Sequence, residues 1–333
     1  MKAGKLSELV LNRSVLMKIR NKRKEVLIGA GTGNDAAVMN ISGDLAAACA
    51  VSSSFNYLPE FSTDSDIYLP SVLLSARLTV IRASNSVSAE LGRPFAVMSA
   101  MILPESFTEA QIKKVMDVFE ETAENLGLQI AGGHSEISSY VERPVFSVTV
   151  YGNRQQKLSM PEKKNLCGQE IVMTGYAALE ATAAAAELCR DRLSKRFAPL
   201  YIENAAQHIW ELCVIKHAEA ALQKQAVWMH DLSKTGVFGG LWELGEKLHI
   251  GMEVDLRQIP VLQETIEFSE YMGFHPYMVP SGGSMLIATA NGSGMVRELK
   301  KLDIPAAVIG KLTEGNDRVL INQEETRFLE QPR

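Results

Sequence analysis

The sequence lacks the features that mark secreted, membrane and nucleic-acid-binding proteins. No stretch reaches the ~18 uninterrupted apolar residues that a membrane span needs, and the N-terminus has no apolar signal-peptide core. The formal net charge is only -5, and the short basic stretch of residues 18–24 is expected to be a solvated helix end. We therefore expect a cytoplasmic protein that has neither a membrane nor a nucleic acid among its partners.

The sequence also lacks paired cysteines and a P-loop. Cys49, Cys167, Cys189 and Cys213 are scattered without a C-x-x-C pair and lie in apolar or helical contexts. Such cysteines are expected to be reduced, mostly buried thiols rather than zinc ligands. No G-x-x-x-x-G-K-[ST] sequence is present, which excludes a Walker-type phosphate loop.

One segment imitates the turn of a dinucleotide-binding domain. Residues 26–33 read Val-Leu-Ile-Gly-Ala-Gly-Thr-Gly, which is typical of a strand entering a glycine-rich turn. The match fails because the last required glycine is replaced by Asn34, and because Gly43-Asp44 interrupts the expected crossover helix. No acidic residue ends a second strand about 20 residues further on. A nicotinamide dehydrogenase is therefore a disfavoured alternative.

Length and the alternation of elements predict a two-domain α/β (α+β) protein. A chain of 333 residues is too long for one ordinary core and suits two domains of roughly 150 residues each. The polar segment 155–168, which contains Pro161, is the expected boundary, so we assign the domains to residues 1–160 and 165–333. Strands and helices alternate along the chain, which predicts layered domains.

Individual elements follow from periodicity and capping. Thr108 is expected to cap a helix that places Ile112, Val115 and Phe119 on one face and ends at Gly127. Residues 52–70 are polar and rich in serine, and we interpret them as a loop that serves as a lid or partner surface. The strands predicted in the first half are residues 26–28, 45–51, 94–103, 129–137 and 145–151. The helices predicted in the second half include residues 179–196, 202–224, 235–248, 260–272 and 296–302.

Chemistry is indicated by several separated motifs rather than by one. The turn Gly33-Asn34-Asp35 delivers a carboxylate to the start of a strand, where it could hold Mg2+ on nucleotide phosphates. Further along the chain come Asn85 with residues 91–94, then residues 131–136, which read Ala-Gly-Gly-His-Ser-Glu. The last motif is Met229-His230-Asp231, which leads to Gly236 and to Gly239-Gly240.

This ordered set resembles the PurM-like, or AIR synthase-related, superfamily, which includes AIR synthase, thiamine-monophosphate kinase, selenophosphate synthetase and HypE. Residues 229–237 with Trp242-Glu243-Leu244 are similar to the family's Met-His-Asp-(Pro/Ile)-(Ser/Thr)-Glu-Gly-Gly block. Residues 4–6, 281–287 and 310–312 also fit. The likeness spans residues 4 to 321 and is nearest to the HypE-like hydrogenase maturation proteins.

The resemblance implies a fold, a cofactor and partners. An N-terminal α/β domain would pair with its twin in a homodimer to close a β-barrel, beside a C-terminal α+β domain. ATP would lie in the cleft between the domains, with Mg2+ held on its triphosphate by acidic side chains. ATP would activate a small amide, acyl or phosphate group by phosphoryl transfer, which depends on charge neutralisation and positioning. A small-molecule substrate and a maturation partner protein are the partners implied.

The resemblance also assigns roles to residues. Asp35 and Asp231 would be metal ligands, and Asp35, His134 and Glu136 would be catalytic. Lys5 would bind phosphate from the N-terminal tail. The complete set of expected nucleotide contacts is Lys5, Gly33, Asn34, Asn85, Gly132, Gly133 and Asp231.

The chain departs from the family at several of these motifs. The usual Asn-Asp or Ser-Asp pair is Asn85-Ser86 here, and a Thr-Asp that many members carry is replaced by Ser52-Ser53, with Asp64 and Asp66 as the nearest acids. Alanines replace glycines in the turn of residues 175–181, and the chain ends without the cysteine of HypE, so nickel-ligand synthesis is not expected. Since Mg2+ depends on a few well-placed carboxylates, the alternative is a non-catalytic relative that binds a nucleotide or a partner.

Three candidates also have purely structural interpretations. Asp35 could be a turn carboxylate that accepts hydrogen bonds from its own backbone. His134 lies in a glycine-flanked strand, where a hydrogen-bonded structural histidine is an equal alternative. Asp231 could cap the helix that begins near Thr235.

Overall fold

The computed structural model describes residues 10, 12–13, 16–19, 24, 26–42, 45–53, 68–155, 165–224 and 226–331. Lys5, Asp64, Asp66 and the whole segment 156–164 at the expected domain boundary lie outside the described residues. One six-stranded sheet is built from the first half and one seven-stranded sheet from the second half. The mixed α/β architecture expected from the sequence is thereby confirmed.

The sheet of the first half has the strand order β1-β2-β3-β6-β4-β5. Its strands are β1 (Val26–Ile28), β2 (Ala37–Ser42), β3 (Leu45–Ser53), β4 (Arg93–Leu103), β5 (Gln129–Ile137) and β6 (Val145–Gln155). The edge pair β4 and β5 is parallel, and the other pairs are antiparallel. The glycine-rich turn therefore joins two neighbouring antiparallel strands, so no helix follows it as a dinucleotide-binding domain would require.

Two helices cover one face of this sheet. Helix α1 (Tyr68–Ala89) is buried along most of its length, and α2 (Glu109–Asn125) begins at the capping box that Thr108 forms with Gln111, as the sequence predicted. Phe119 of α2 meets Phe146 of β6 edge to face, with ring centroids 5.6 Å apart. The core of this half therefore lies between the sheet and its two helices.

The second sheet has the order β13-β12-β9-β11-β7-β10-β8. Its strands are β7 (Glu170–Thr174), β8 (Trp228–Asp231), β9 (Gly251–Asp255), β10 (Met285–Thr289), β11 (Ala306–Thr313), β12 (Arg318–Asn322) and β13 (Glu325–Phe328). The helices of this half are α3 (Leu179–Leu188), α4 (Arg190–Leu193), α5 (Pro199–Gln207), α6 (Ile215–Gln223), α7 (Gly236–Leu248), α8 (Gln263–Met272) and α9 (Gly292–Lys300).

Helix α1 is one of the elements of the first half that contact the second half. Arg82 of α1 forms a buried ion pair with Glu180 of α3. Loss of either partner would leave an uncompensated buried charge, so the pair makes separation of the two helices costly. Further contacts join α1 to β8 and α6.

Several expected boundaries were wrong. The predicted helix 179–196 is divided into α3 and α4 at Cys189, and the predicted helix 202–224 is divided into α5, a 3-10 turn and α6. The Met229-His230-Asp231 motif is a buried edge strand rather than a turn, because it pairs with β10. The expected loop 52–70 is shorter, since β3 continues to Ser53 and α1 begins at Tyr68.

None of the four cysteines forms a disulfide bond, as expected, but they are not mostly buried. Cys189 is buried, Cys49 and Cys213 are half-buried, and Cys167 is exposed in the turn that precedes β7. Burial raises the pKa of Cys189 and of Cys213 to about 11. Those two thiols are therefore protonated and weakly reactive at neutral pH.

Candidate functional site at the domain junction

The glycine-rich turn packs against the second half of the chain. Asn34 closes the turn, since its side-chain amide donates a hydrogen bond to the carbonyl oxygen of Gly29 over 2.9 Å. Gly33 has a φ of 73°, and a β-carbon there would overlap the backbone oxygen of Glu243 in α7. Gly33 and Asn34 therefore shape the turn and its contact with α7, which places the next residue, Asp35, at the domain junction.

Asp35 is bound by a histidine from the other half. One carboxylate oxygen of Asp35 lies 2.9 Å from Nδ1 of His230 in β8, and the opposite ring nitrogen lies 3.4 Å from a carboxylate oxygen of Glu243. The side chains of His230 and Asp35 are only 1% and 8% exposed. The imidazole is thus held between two carboxylates in a site with little solvent.

The two carboxylates determine the charge of His230. Burial by itself disfavours the imidazolium, but the neighbouring charges and hydrogen bonds of Asp35 and Glu243 outweigh it and raise the pKa of His230 to about 10. His230 is therefore positively charged at neutral pH. It supplies the positive charge beside Asp35 that the family resemblance assigned to a metal ion.

A second ion pair lies beside this one. Glu90, which follows α1, is completely buried and pairs with Lys247 of α7. Burial raises the pKa of Glu90, Lys247 partly offsets this effect, and the negative charge of Asp35 adds to it. The Lys247 ammonium also lies 4.7 Å from the ring centroid of Trp228. The junction therefore contains a cluster of alternating charges rather than one isolated carboxylate.

Asp231 contacts the helix of the first half. The hydroxyl of Ser86 in α1 donates to a carboxylate oxygen of Asp231 over 3.4 Å. Asp231 lies within β8, and the side chain of Thr235, the N-cap residue of α7, makes no capping hydrogen bond. The site role and the helix-cap role of Asp231 both stay predictions. Asp35, His230, Asp231 and Ser86 meet where the two halves join.

The side-chain amide of Asn85 forms hydrogen bonds with backbone groups of the second half. Its amide donates to the carbonyl oxygen of Leu212 over 2.8 Å and accepts from the N–H of Val214 over 2.9 Å. The side chain is buried. Asn85 therefore anchors α1 to the segment before α6, and its amide does not face a cleft.

The other predicted site residues lie elsewhere. His134 and Glu136 are exposed on β5, with 3.0 Å between the imidazole and the carboxylate. Gly132 and Gly133 lie on the same strand, where a β-carbon on Gly133 would overlap the backbone oxygen of Ser99.

Strand order separates this group from Asp35. Strands β2 and β5 are four places apart in the sheet, which corresponds to roughly 19 Å at the usual strand spacing. Asp35 and Gly133 therefore lie toward opposite edges of the sheet within a single chain.

The described residues do not fit a Mg2+ site. No group of three or more His, Cys, Asp or Glu side chains in the described part of the chain is positioned to hold a metal ion. Asp35 is engaged by His230, and Ser86 provides a hydroxyl where relatives carry a carboxylate. Hard divalent cations need several oxygen ligands, so we derive no step through a metal ion.

Sequence reasoning missed the roles of four residues at the junction, namely Glu90, His230, Glu243 and Lys247. Glu243 and Lys247 are four residues apart, and this spacing places them on one face of α7. That spacing was the feature of the sequence that could have indicated their shared role. Nothing in the local sequence indicated that this face of α7 would lie near Asp35, because the contact between Asp35 and His230 joins residues 195 positions apart.

Comparison with known proteins identifies the two halves separately. Residues 33–153 match the family model described as AIR synthase related protein, N-terminal domain, and residues 168–322 match the corresponding C-terminal domain. The sequences of two curated relatives align with most of the chain. A selenide, water dikinase of Treponema denticola is 23% identical over 331 residues, which is 98% of this chain and 83% of the relative. A hydrogenase expression/formation protein of Methanocaldococcus jannaschii is 22% identical over 250 residues, which is 74% of this chain and 72% of the relative.

Solved structures show the same fold. The structure of a HypE-HypF complex contains a chain that superimposes with a TM-score of 0.70 at 15% identity, over 97% of this chain and 99% of that one. A HypE in complex with ATP superimposes with a TM-score of 0.64 at 18% identity, over 99% and 96% of the two chains. At these identities the likeness establishes the PurM-like, HypE-like fold that the sequence motifs predicted.

Proposed function

Because the chain belongs to the AIR synthase-related family, we propose that it binds ATP beside the junction of its two halves and acts as a homodimer in the cytoplasm. The observation that carries the proposal is the meeting of family motifs from both halves, where Ser86 of α1 contacts Asp231 of β8 next to Asp35. The ATP complex of a HypE with the same fold supports the choice of nucleotide. The described part of the chain contains no helix long and apolar enough to cross a membrane.

Nucleotide binding without rapid turnover is the activity that the junction supports best. Phosphoryl transfer depends on neutralising the charge of the transferred group, usually with divalent ions. The described residues do not assemble such a site, and the carboxylate of Asp35 is held by His230. We therefore propose that the protein binds a nucleotide together with a small-molecule substrate or a maturation partner protein.

ATP-dependent activation of a small amide, acyl or phosphate group is the second candidate. It is favoured by the likeness to a selenide, water dikinase and to a HypE in complex with ATP. The two candidates differ in one measurable property, because only the second releases ADP.

The uncovered face of the first sheet supports the proposed homodimer. Val51, Thr149 and Met98 are aligned across β3, β6 and β4 on the face opposite the helices. Val51, Met98 and Phe95 are exposed there, and Ile41 and Val145 add exposed apolar side chains on other strands. An apolar surface of this kind is expected to be covered by another surface.

A dimer would also bring together predicted site residues that are separated within one chain. Asp35 and the Gly132-Gly133 segment lie toward opposite edges of one sheet. In a face-to-face dimer whose twofold axis runs along the strands, unlike edges of the two identical sheets lie next to each other, so β5 of one chain would approach the Asp35 turn of its partner. His134 and Glu136 would then contribute to a shared site.

Two measurements on the full chain test the proposal. Calorimetric titration with ATP gives the Kd. Unfolding experiments at 100 times that Kd should then show the free energy of unfolding raised by about 2.7 kcal/mol, both with Mg2+ and with EDTA. Asp35→Asn removes the carboxylate that pairs with His230 and should weaken ATP binding by disturbing the junction of the two halves. The exposed substitution Asp117→Asn on α2 serves as its control. An unchanged melting temperature at millimolar ATP would contradict the proposal. Release of ADP that Asp35→Asn abolishes would instead establish the second candidate.

A further inference from the structure

A separate cavity of about 830 Å³ opens in the second half of the chain. It lies between the first turn of α7, the segment containing His275 and Met278, and the last strands with the residues that follow them. Cavities of roughly 300–1,000 Å³ are the size that holds small molecules in proteins. The whole lining comes from the second half, so the pocket does not require the Asp35 junction.

The pocket is lined by two basic side chains. These are Lys234, on the loop before α7, and Arg327, on β13. Glu330, at the exposed rim, is the acid in the described lining. The start of α7 also points its positive dipole end toward this region. Its first amides are partly used, since the N–H of Phe238 donates to the oxygen of Tyr277 over 3.0 Å. The side-chain cations therefore dominate the recognition of an anion.

His275 adds a neutral polar group. Its imidazole ring lies 5.7 Å from the ring of Phe238, centroid to centroid. Burial and the positive charge of Arg327 both lower the pKa of His275, so the ring is neutral at neutral pH. Nδ1 of His275 accepts from the N–H of Tyr277 over 3.3 Å, so the neutral ring can offer a ligand one donor, the Nε2–H group.

The remaining lining is apolar and aromatic. Phe238 forms the inner wall, with the Arg327 guanidinium 5.7 Å from its ring centroid. Met278 and Phe328 are 58% and 68% exposed at the mouth. Met278 and Phe328 therefore give the mouth an exposed apolar surface in the same pocket as Lys234 and Arg327.

We propose that this pocket binds a small anion that carries an aromatic or planar group, a class that includes aryl phosphates and aryl carboxylates. The anion pairs with Lys234 and Arg327, and the ring packs against Phe238 and Phe328. The proposal goes beyond nucleotide binding at the junction, because it concerns a second ligand on a different set of residues.

Phenyl phosphate is a suitable probe, with benzyl alcohol and benzylamine as neutral and cationic analogues. Calorimetry or ligand-observed NMR on the full chain should show binding of phenyl phosphate that exceeds binding of both analogues. Arg327→Gln and Lys234→Gln should each weaken it about tenfold, as expected for loss of one charge-assisted hydrogen bond. Arg297→Gln, on the exposed face of α9, should leave the affinity unchanged. Phe238→Leu should weaken the binding of phenyl phosphate more than the binding of inorganic phosphate.

The location can be checked independently of affinity. Bound phenyl phosphate should raise the pKa of His275 in an NMR titration, because a nearby anion favours the imidazolium. Equal binding of benzyl alcohol and phenyl phosphate, or an equal effect of Arg297→Gln and Arg327→Gln, would overturn the proposal. Competitive displacement by ATP would also overturn it, since the two ligands would then share one site. Failure of ATP to bind, with phenyl phosphate still bound, would refute only the nucleotide proposal.

Discussion

The carboxylate of Asp35 lies 2.9 Å from Nδ1 of His230, and this contact joins the glycine-rich turn of the first half to the edge strand of the second. The family resemblance assigned that carboxylate to a metal ion. In this chain His230 supplies a positive charge beside that carboxylate. The contact therefore joins the two halves through a buried ion pair.

Removal of the His230 cation should destabilise the protein. His230→Leu leaves the carboxylates of Asp35 and Glu243 buried without their positive partner, and loss of one partner in a buried pair costs about 3 to 5 kcal/mol. Urea unfolding measures this loss. His134→Leu, on the exposed edge strand, should change the free energy of unfolding by less than about 0.5 kcal/mol. Equal effects of the two substitutions would show that the buried contact has no special role.

The same histidine should make stability decrease at alkaline pH. The folded pKa of His230 is raised to about 10, whereas an unfolded histidine titrates near pH 6.5. Its contribution is therefore complete below about pH 6.5 and is lost as the pH rises through about 10. Urea midpoints measured from pH 6 to 10 should fall in the wild type and fall less in His230→Leu. Parallel curves for the two proteins would contradict this account.

His217 should make stability decrease at acidic pH. Its Nδ1 lies 3.0 Å from the hydroxyl of Thr174, and burial lowers its pKa to about 4. The stability due to the neutral ring is present above about pH 6.5, the unfolded value, and is lost as the pH falls toward 4. His217→Asn should flatten the curve between pH 4 and 6.5. A difference between the two proteins that does not vary with pH would indicate a packing effect alone.

Restoration of the missing family carboxylate should create a response to Mg2+. Ser86→Asp would place a second carboxylate beside Asp231, where like charges repel and one pKa rises. Without metal the variant should melt below the wild type, and millimolar Mg2+ should recover part of the loss. Thermal unfolding with Mg2+ and with EDTA measures this. Ser139→Asp, in an exposed loop, should show no such difference.

A charge on the uncovered sheet face should separate the proposed dimer. Val51 is 67% exposed on this face, so Val51→Asp should leave the fold of one chain intact while it opposes burial of the face. Light scattering or sedimentation should show a monomer at concentrations where the wild type is dimeric. Leu200→Asp is a matched control, because Leu200 is equally exposed at 67% on the other half of the chain. A wild type that is monomeric at all concentrations would refute the dimer.

Local sequence signals predicted individual elements well. Thr108, the apolar face from Ile112 to Phe119 and Gly127 specified α2, because capping and helical periodicity act within a few residues. The motif order also predicted the family and the α/β architecture. The boundaries near Cys189 and at the Met229-His230-Asp231 segment failed, because neighbouring elements determine where a helix breaks and where a strand pairs.

The sequence by itself therefore determined the two-domain composition, the family motifs and the replacement of a carboxylate by Ser86. Only the tertiary structure decided which groups those motifs meet. Strand order placed Gly133 toward the far edge of the sheet from Asp35, and the packing of α7 brought His230 and Glu243 to the junction. The physical reason is that ion pairs depend on distances of a few ångströms between residues remote in the chain, and local propensities contain no information about such distances.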